Sequence, residues 1–143
     1  MNLITRDYRP EDFEAVNYIW QQTGMGGAIR GDDQDVILRT IIMGGRLILL
    51  ENTAKNEIIG TSWVTQDGHR IYLHHFGILP DYQGKGFAKI LLDASLKFAK
   101  GTGLQIKLEV HKDNEIARNL YVKGGFKYLG DYNVYIIRNY DNL

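Results

Sequence analysis

The chain has no cysteine and only two prolines in 143 residues. Without thiols it can form no disulfide, no thiolate-bound metal site and no acyl-cysteine intermediate. Net charge is missing as well: 17 Lys and Arg balance 17 Asp and Glu. No polybasic patch draws it to nucleic acid or to an anionic membrane surface. No apolar run approaches the roughly 20 residues that span a bilayer. The opening stretch, Met1 to Asp7, lacks the apolar core of a signal peptide. These absences lead us to expect one cytoplasmic domain over 1–143, with a real core and no nucleic-acid or membrane partner.

What is present is a pattern that changes along the chain. Asn2 to Asp7 is β-compatible. Pro10, Glu11 and Asp12 suit a helix start, and Phe13, Val16, Ile19 and Trp20 give a helical stripe to about Gln22. A glycine loop follows. Asp32 or Asp33 then caps a second helix, which stops at Gly44-Gly45. Leu47–Leu50, Ile58–Thr65 and Arg70–Ile78 read as an antiparallel meander, with Asp67-Gly68 as a hairpin signal. A third helix runs from about Gly84 to Lys100. Leu104–Val110 alternates as a half-buried strand, and Asp113 or Asn114 starts a helix to about Lys123. Phe126–Leu129 and Val134–Arg138 read as two closing strands. The class is α+β: a mixed, mostly antiparallel sheet of six to seven strands with four helices.

The stretch Phe76 to Ala88 is the chemical focus. A strand enters a glycine-rich loop that opens a long helix, the arrangement that presents backbone N–H groups and a positive dipole end to a phosphate. It is not a Walker A loop, because Gly86 is followed by Phe87-Ala88. It is not a dinucleotide fingerprint, because no third glycine follows at the required spacing. A tight turn alone accounts for Gln83-x-x-Gly86-x-Ala88 equally well. Farther on stand Leu108-Glu109-Val110, Asn114, Ala117, Leu120-Tyr121 and Gly125-Phe126.

Together the two motifs resemble the GNAT superfamily of acetyl-CoA-dependent N-acetyltransferases, from about Ile71 to Leu129. The Glu109, Asn114 and Tyr121 spacing is similar to that of the ribosomal-protein N-terminal acetyltransferases. The Trp20–Asp33 region and the Asp67–Arg70 hairpin are similar to small bacterial GNATs of uncertain substrate. The resemblance implies a GNAT fold, splayed between the fourth and fifth strands, with acetyl-CoA as co-substrate.

The resemblance also implies roles for individual residues. Gln83, Gly84, Lys85, Gly86, Phe87 and Ala88 would hold the CoA pyrophosphate. Phe76, Gly77 and Ile78 would bind the pantetheine arm, and a bulge there would aim one N–H, that of Ile78, at the acetyl carbonyl as oxyanion donor. Asn114 matches the asparagine that contacts the cofactor; a helix cap is its plain alternative. Tyr121 matches the general acid, apt because a phenol keeps its proton at neutral pH; a core tyrosine is the alternative. Glu109 matches a catalytic glutamate, against an ordinary solvent-facing residue of an alternating strand. His74 and His75 adjoin the acetyl position. Alternation sends one of the pair to the far face, and His75 is the second candidate base. Two adjacent histidines without a spaced third ligand make no metal site, and no metal is expected.

The implied reaction is direct transfer to a primary amine, on a small molecule or a peptide, in a ternary complex. The alternative is a non-catalytic acyl-CoA-binding sensor or interaction module. Monomer and homodimer are both open.

Overall fold

The computed structural model describes residues 1–143, which group into two compact units, Met1–His111 and Lys112–Leu143. The first unit is built on a five-stranded sheet in sequential order. Its strands are β1 (Leu3–Asp7), β2 (Arg46–Asn52), β3 (Glu57–Gln66), β4 (Arg70–Ile78) and β5 (Gln105–Leu108). The first four pair antiparallel, and β5 joins β4 in parallel after a crossover helix. The helices are α1 (Phe13–Gln22), α2 (Gln34–Ile42) and α3 (Phe87–Thr102), and the second unit carries α4 (Glu115–Lys123).

Strand alternation sorts the layers. Thr61 and Trp63 face α1 and α2: the Trp20 indole N–H donates to Thr61 Oγ1 at 3.0 Å, and that of Trp63 donates to Thr40 Oγ1 at 2.9 Å. Ser62, on the other face, meets Ser95 of α3 with the hydroxyl oxygens 2.6 Å apart. With helices on both sides, β3 is buried from Ile58 to Val64, and its two buried hydroxyls, Thr61 and Ser62, are both hydrogen-bonded. Trp20 is wholly buried and stacks on Trp63, with ring centroids 5.3 Å apart.

The β1 edge of the sheet is tied by charge. Arg6 forks onto Asp12 at 2.8 and 2.9 Å and reaches Glu51 at 2.6 Å. Asp12 also accepts the Arg9 amide, closing the turn that leads into α1. The Arg6 hydrogen bond is the main reason the Asp12 carboxyl sits below its ordinary value.

Two expectations need correction. The sheet has five strands, not six to seven. Phe126–Leu129 and Val134–Arg138 form no strand, and Tyr128, Leu129, Tyr132, Val134, Tyr135, Ile136 and Ile137 are exposed. A strand needs a ladder to satisfy its backbone, and no partner strand pairs with either segment. The third helix begins at Phe87, since Gly84 and Gly86 both adopt positive φ, at 76° and 80°.

Candidate active site

The site grows out of the end of β4. Its parallel pairing with β5 stops at Leu73–Leu108, while β4 runs on to Ile78. Within the sheet, the last residues of β4 therefore pair with β3 alone. Leu79 N–H donates to Ile59 O at 2.8 Å, so Leu79 and Ile59 form a hydrogen-bonded pair. Ile78 and Gly60, one step back, are then a non-bonded pair, and both backbone groups of Ile78 turn away from β3. The Ile78 carbonyl accepts the Gln83 side-chain amide at 2.8 Å. Its N–H faces the same open edge.

The bulge lies earlier than expected. Trp63 pairs with His74 and Thr61 with Gly77, so Ser62 stands opposite both His75 and Phe76. His75 takes the left-handed conformation at φ 43°, unusual for a non-glycine residue. Three ties hold it there. Thr61 Oγ1 donates to the His75 carbonyl at 2.7 Å while accepting from Trp20. The His75 ring meets Trp20 and Trp63 edge-on at 4.6 and 5.2 Å. Its Nε2 lies 2.8 Å from Asp32 Oδ2.

The bulge also defeats simple alternation: His74 contacts Trp63 too, at 6.4 Å between centroids. Both histidines therefore flank Trp63, and neither is sent to the far face. His74 Nε2 sits 2.9 Å from Thr65 Oγ1, and its ring stacks on Tyr72. Its pKa is lowered, first by desolvation among these rings and next by its neighbour His75, although part of the side chain reaches solvent. Gly77 has a packing role instead of a bulge role: a Cβ there would meet Met25 Cε at 2.7 Å. Glu109 lies exposed one residue beyond β5, near enough to act on the His74 charge.

Past Ile78, the Pro80–Tyr82 turn leads into the glycine loop. No side chain caps α3, no acidic residue sits in its first turn, and the space beside Gly84 and Gly86 is open. The first N–H groups of α3 are left to a ligand or to water, with the dipole favouring an anion. No cluster of three or more potential metal-ligand side chains is present. A cavity of about 530 Å³ lies elsewhere, and in its lining Arg6 is paired with Asp12 and Glu51.

The remaining predicted residues belong to the second unit. Asn114 caps α4, its side-chain oxygen accepting the Ala117 N–H at 3.2 Å. The cap uses only the carbonyl and leaves the amide donors for other partners. Tyr121 is buried, with Phe126 edge-on at 5.7 Å, and burial pushes its phenol up to about 12. Asp32 and Thr61 escaped sequence reasoning. The one available hint was the doubled aspartate at 32–33, since Asp33 alone supplies the α2 cap.

An open strand edge running into an uncapped, glycine-led helix is a cradle for an extended ligand that ends in a phosphate. The sequence profile of the Acetyltransferase (GNAT) family matches residues 6–126, and the chain belongs to that family. It is thus an acetyl-CoA-dependent acetyltransferase with a GNAT-type α+β fold.

Solved structures share the fold. AAC(6')-Iy, in complex with the bisubstrate analogue CoA-S-monomethyl-acetylneamine, superposes with a TM-score of 0.74 at 15% identity, covering 97% of this chain and 100% of that one. The PaiA N-acetyltransferase of Thermoplasma acidophilum, in complex with coenzyme A, gives 0.72 at 19% identity, over 89% and 91%. Ard1 from Thermoplasma volcanium gives 0.73 at 22% identity, over 89% and 84%.

Proposed function

We propose that the chain moves an acetyl group from acetyl-CoA directly to a primary amine within a ternary complex, as one domain spanning 1–143. The observation that carries this reading is the Ile78 backbone, turned to the open edge of β4 beside the glycine loop. Backbone N–H groups of the Gln83–Ala88 loop beyond Gln83, whose own N–H donates to Pro80 O, hold the pyrophosphate, and Phe76, Gly77 and Ile78 line the pantetheine arm. Asn114 offers its amide donors to the same arm.

The acetyl carbonyl accepts the Ile78 N–H, which stabilises the oxyanion as the amine attacks. An amine arrives mostly as ammonium, so one proton must leave first. His75 takes it through water; Glu109 is the alternative acceptor. Collapse of the tetrahedral adduct breaks the C–S bond; Tyr121 gives its proton to the CoA thiolate, and the second proton shed by the nitrogen as it becomes an amide restores the phenol through solvent. A phenol held near 12 is still protonated at neutral pH, as an acid must be.

The test is a thiol-release assay with acetyl-CoA and a panel of amines: an N-terminal peptide, a lysine peptide, spermidine, an aminoglycoside and free amino acids. At least one should release CoA. Tyr121→Phe should then lower kcat by about 100-fold with the KM for acetyl-CoA unchanged. CoA binding without thiol release from any amine would favour the non-catalytic acyl-CoA module. Full activity in Tyr121→Phe would remove that residue from the mechanism.

A further inference from the structure

The loop between α1 and α2 docks on β4 at two points. Met25 packs where Gly77 has no side chain, and Asp32 reaches His75. The loop is itself braced: Ala28 N–H donates to Asn17 Oδ1 of α1 at 3.0 Å, and Asp32 N–H donates to Gly27 O at 3.1 Å. Its two adjacent aspartates divide the work. Asp33 caps α2, and Asp32 turns inward, with its side chain one-quarter exposed and that of His75 one-fifth.

We propose that Asp32 is a positioning residue for His75, holding the imidazole as its Nε2–H tautomer and so making Nδ1 the nitrogen that accepts the proton. This deepens the acetyl-transfer reading and rests on its choice of His75 over Glu109. A carboxylate can only accept hydrogen bonds, so the nitrogen that faces it must carry the hydrogen. The neutral ring then has one basic nitrogen, Nδ1. In the proton step an N–H bond of the ammonium breaks, an Nδ1–H bond forms, directly or across one water, and the new imidazolium lies beside the negative charge of Asp32. That proton later returns to solvent.

The other groups around the ring support a fixed orientation. Trp20 from α1 and Trp63 from β3 contact it edge-on and carry no charge. Thr61 pins its carbonyl. The adjacent titratable group is His74 on the same strand, and both Glu109 and Asp32 act on the His74 charge. A left-handed backbone in a strand persists only where its surroundings over-determine it, and strain of this kind clusters at working sites.

Nitrogen-15 imidazole spectra of the full chain test the tautomer without any turnover. Wild type should show His75 as Nε2–H. Asp32→Ala should show a tautomer mixture, and Asp32→Asn, which keeps the size and serves if the alanine variant unfolds, should lose the pure Nε2–H form. With the most active amine of the panel, Asp32→Ala should cut kcat by about 10-fold and leave the acetyl-CoA KM unchanged. In a His75→Gln background the same change should cost nothing more. An unchanged His75 tautomer in both Asp32 variants overturns the proposal. So does an undiminished Asp32→Ala loss in the His75→Gln background, which would mean that Asp32 acts on the amine itself. A panel that releases no thiol counts against direct transfer to an amine and against the proton-accepting role together, and the spectra still decide whether Asp32 sets the ring.

Discussion

The two compact units use the same polar side chains differently. In Met1–His111 they tie distant parts of the chain. The Trp20–Thr61–His75 chain and the Ser62–Ser95 and Trp63–Thr40 pairs each join a helix to the sheet. Lys112–Leu143 holds three short-range bonds: Asn114 to Ala117, Arg118 to Lys112, and the Phe126 amide to the Tyr121 carbonyl. Apolar patterning divides in the same way. Gln105–Leu108 becomes a strand because β4 supplies a ladder, whereas Val134–Arg138 does not. Periodicity states which face a strand would bury; pairing decides whether there is a strand. Catalysis benefits from the first arrangement, because distant ties hold a bulged backbone rigid where a reacting atom must be placed.

That contrast breaks most visibly at Trp20. Trp20→Ala should destabilise the protein by about 3–5 kcal/mol, read as a shift in denaturant midpoint, since it empties the core and removes the indole donor from Thr61. Next comes Asp12→Asn, which leaves Arg6 half-paired in a largely buried position and should cost about 3 kcal/mol. Its pH signature has a definite sign. The Asp12 pKa is depressed below 3.8, so its contribution is fully present above that value and is lost as pH falls through the lower, folded-state pKa. Wild type should therefore lose stability in strong acid more steeply than Asp12→Asn.

In the second unit the same kinds of change should matter less. Asn114→Ala removes a cap from a nine-residue helix and should cost about 1 kcal/mol. Tyr135→Ser, in the exposed segment, should fall within about 0.5 kcal/mol of wild type. A loss of several kcal/mol at Tyr135 would mean that this segment is tied down like the first unit, and the contrast would fail.

Local pattern explains what was legible. The β4 strand, the loop and α3 follow from alternation, glycine punctuation and helical periodicity, all readable within a few residues. The caps at Asp33 and Asn114 are local too. The bulge, expected within Phe76–Ile78, falls at His75 and Phe76; the strained residue is His75, held by contacts that alternation does not encode. Asp32 was invisible as a partner because 43 residues separate it from His75, and only the sheet brings them together. The closing strands were over-read because Phe126–Leu129 and Val134–Arg138 carry strand-like composition without a pairing edge.

Direct transfer along β4 is the central claim, and initial-velocity kinetics test it most directly. With acetyl-CoA varied at several fixed concentrations of the best amine from the panel, double-reciprocal lines should intersect, as a ternary complex requires. Parallel lines, together with acetylated protein recovered from acetyl-CoA alone, would contradict it and place a covalent acetyl-enzyme on the path.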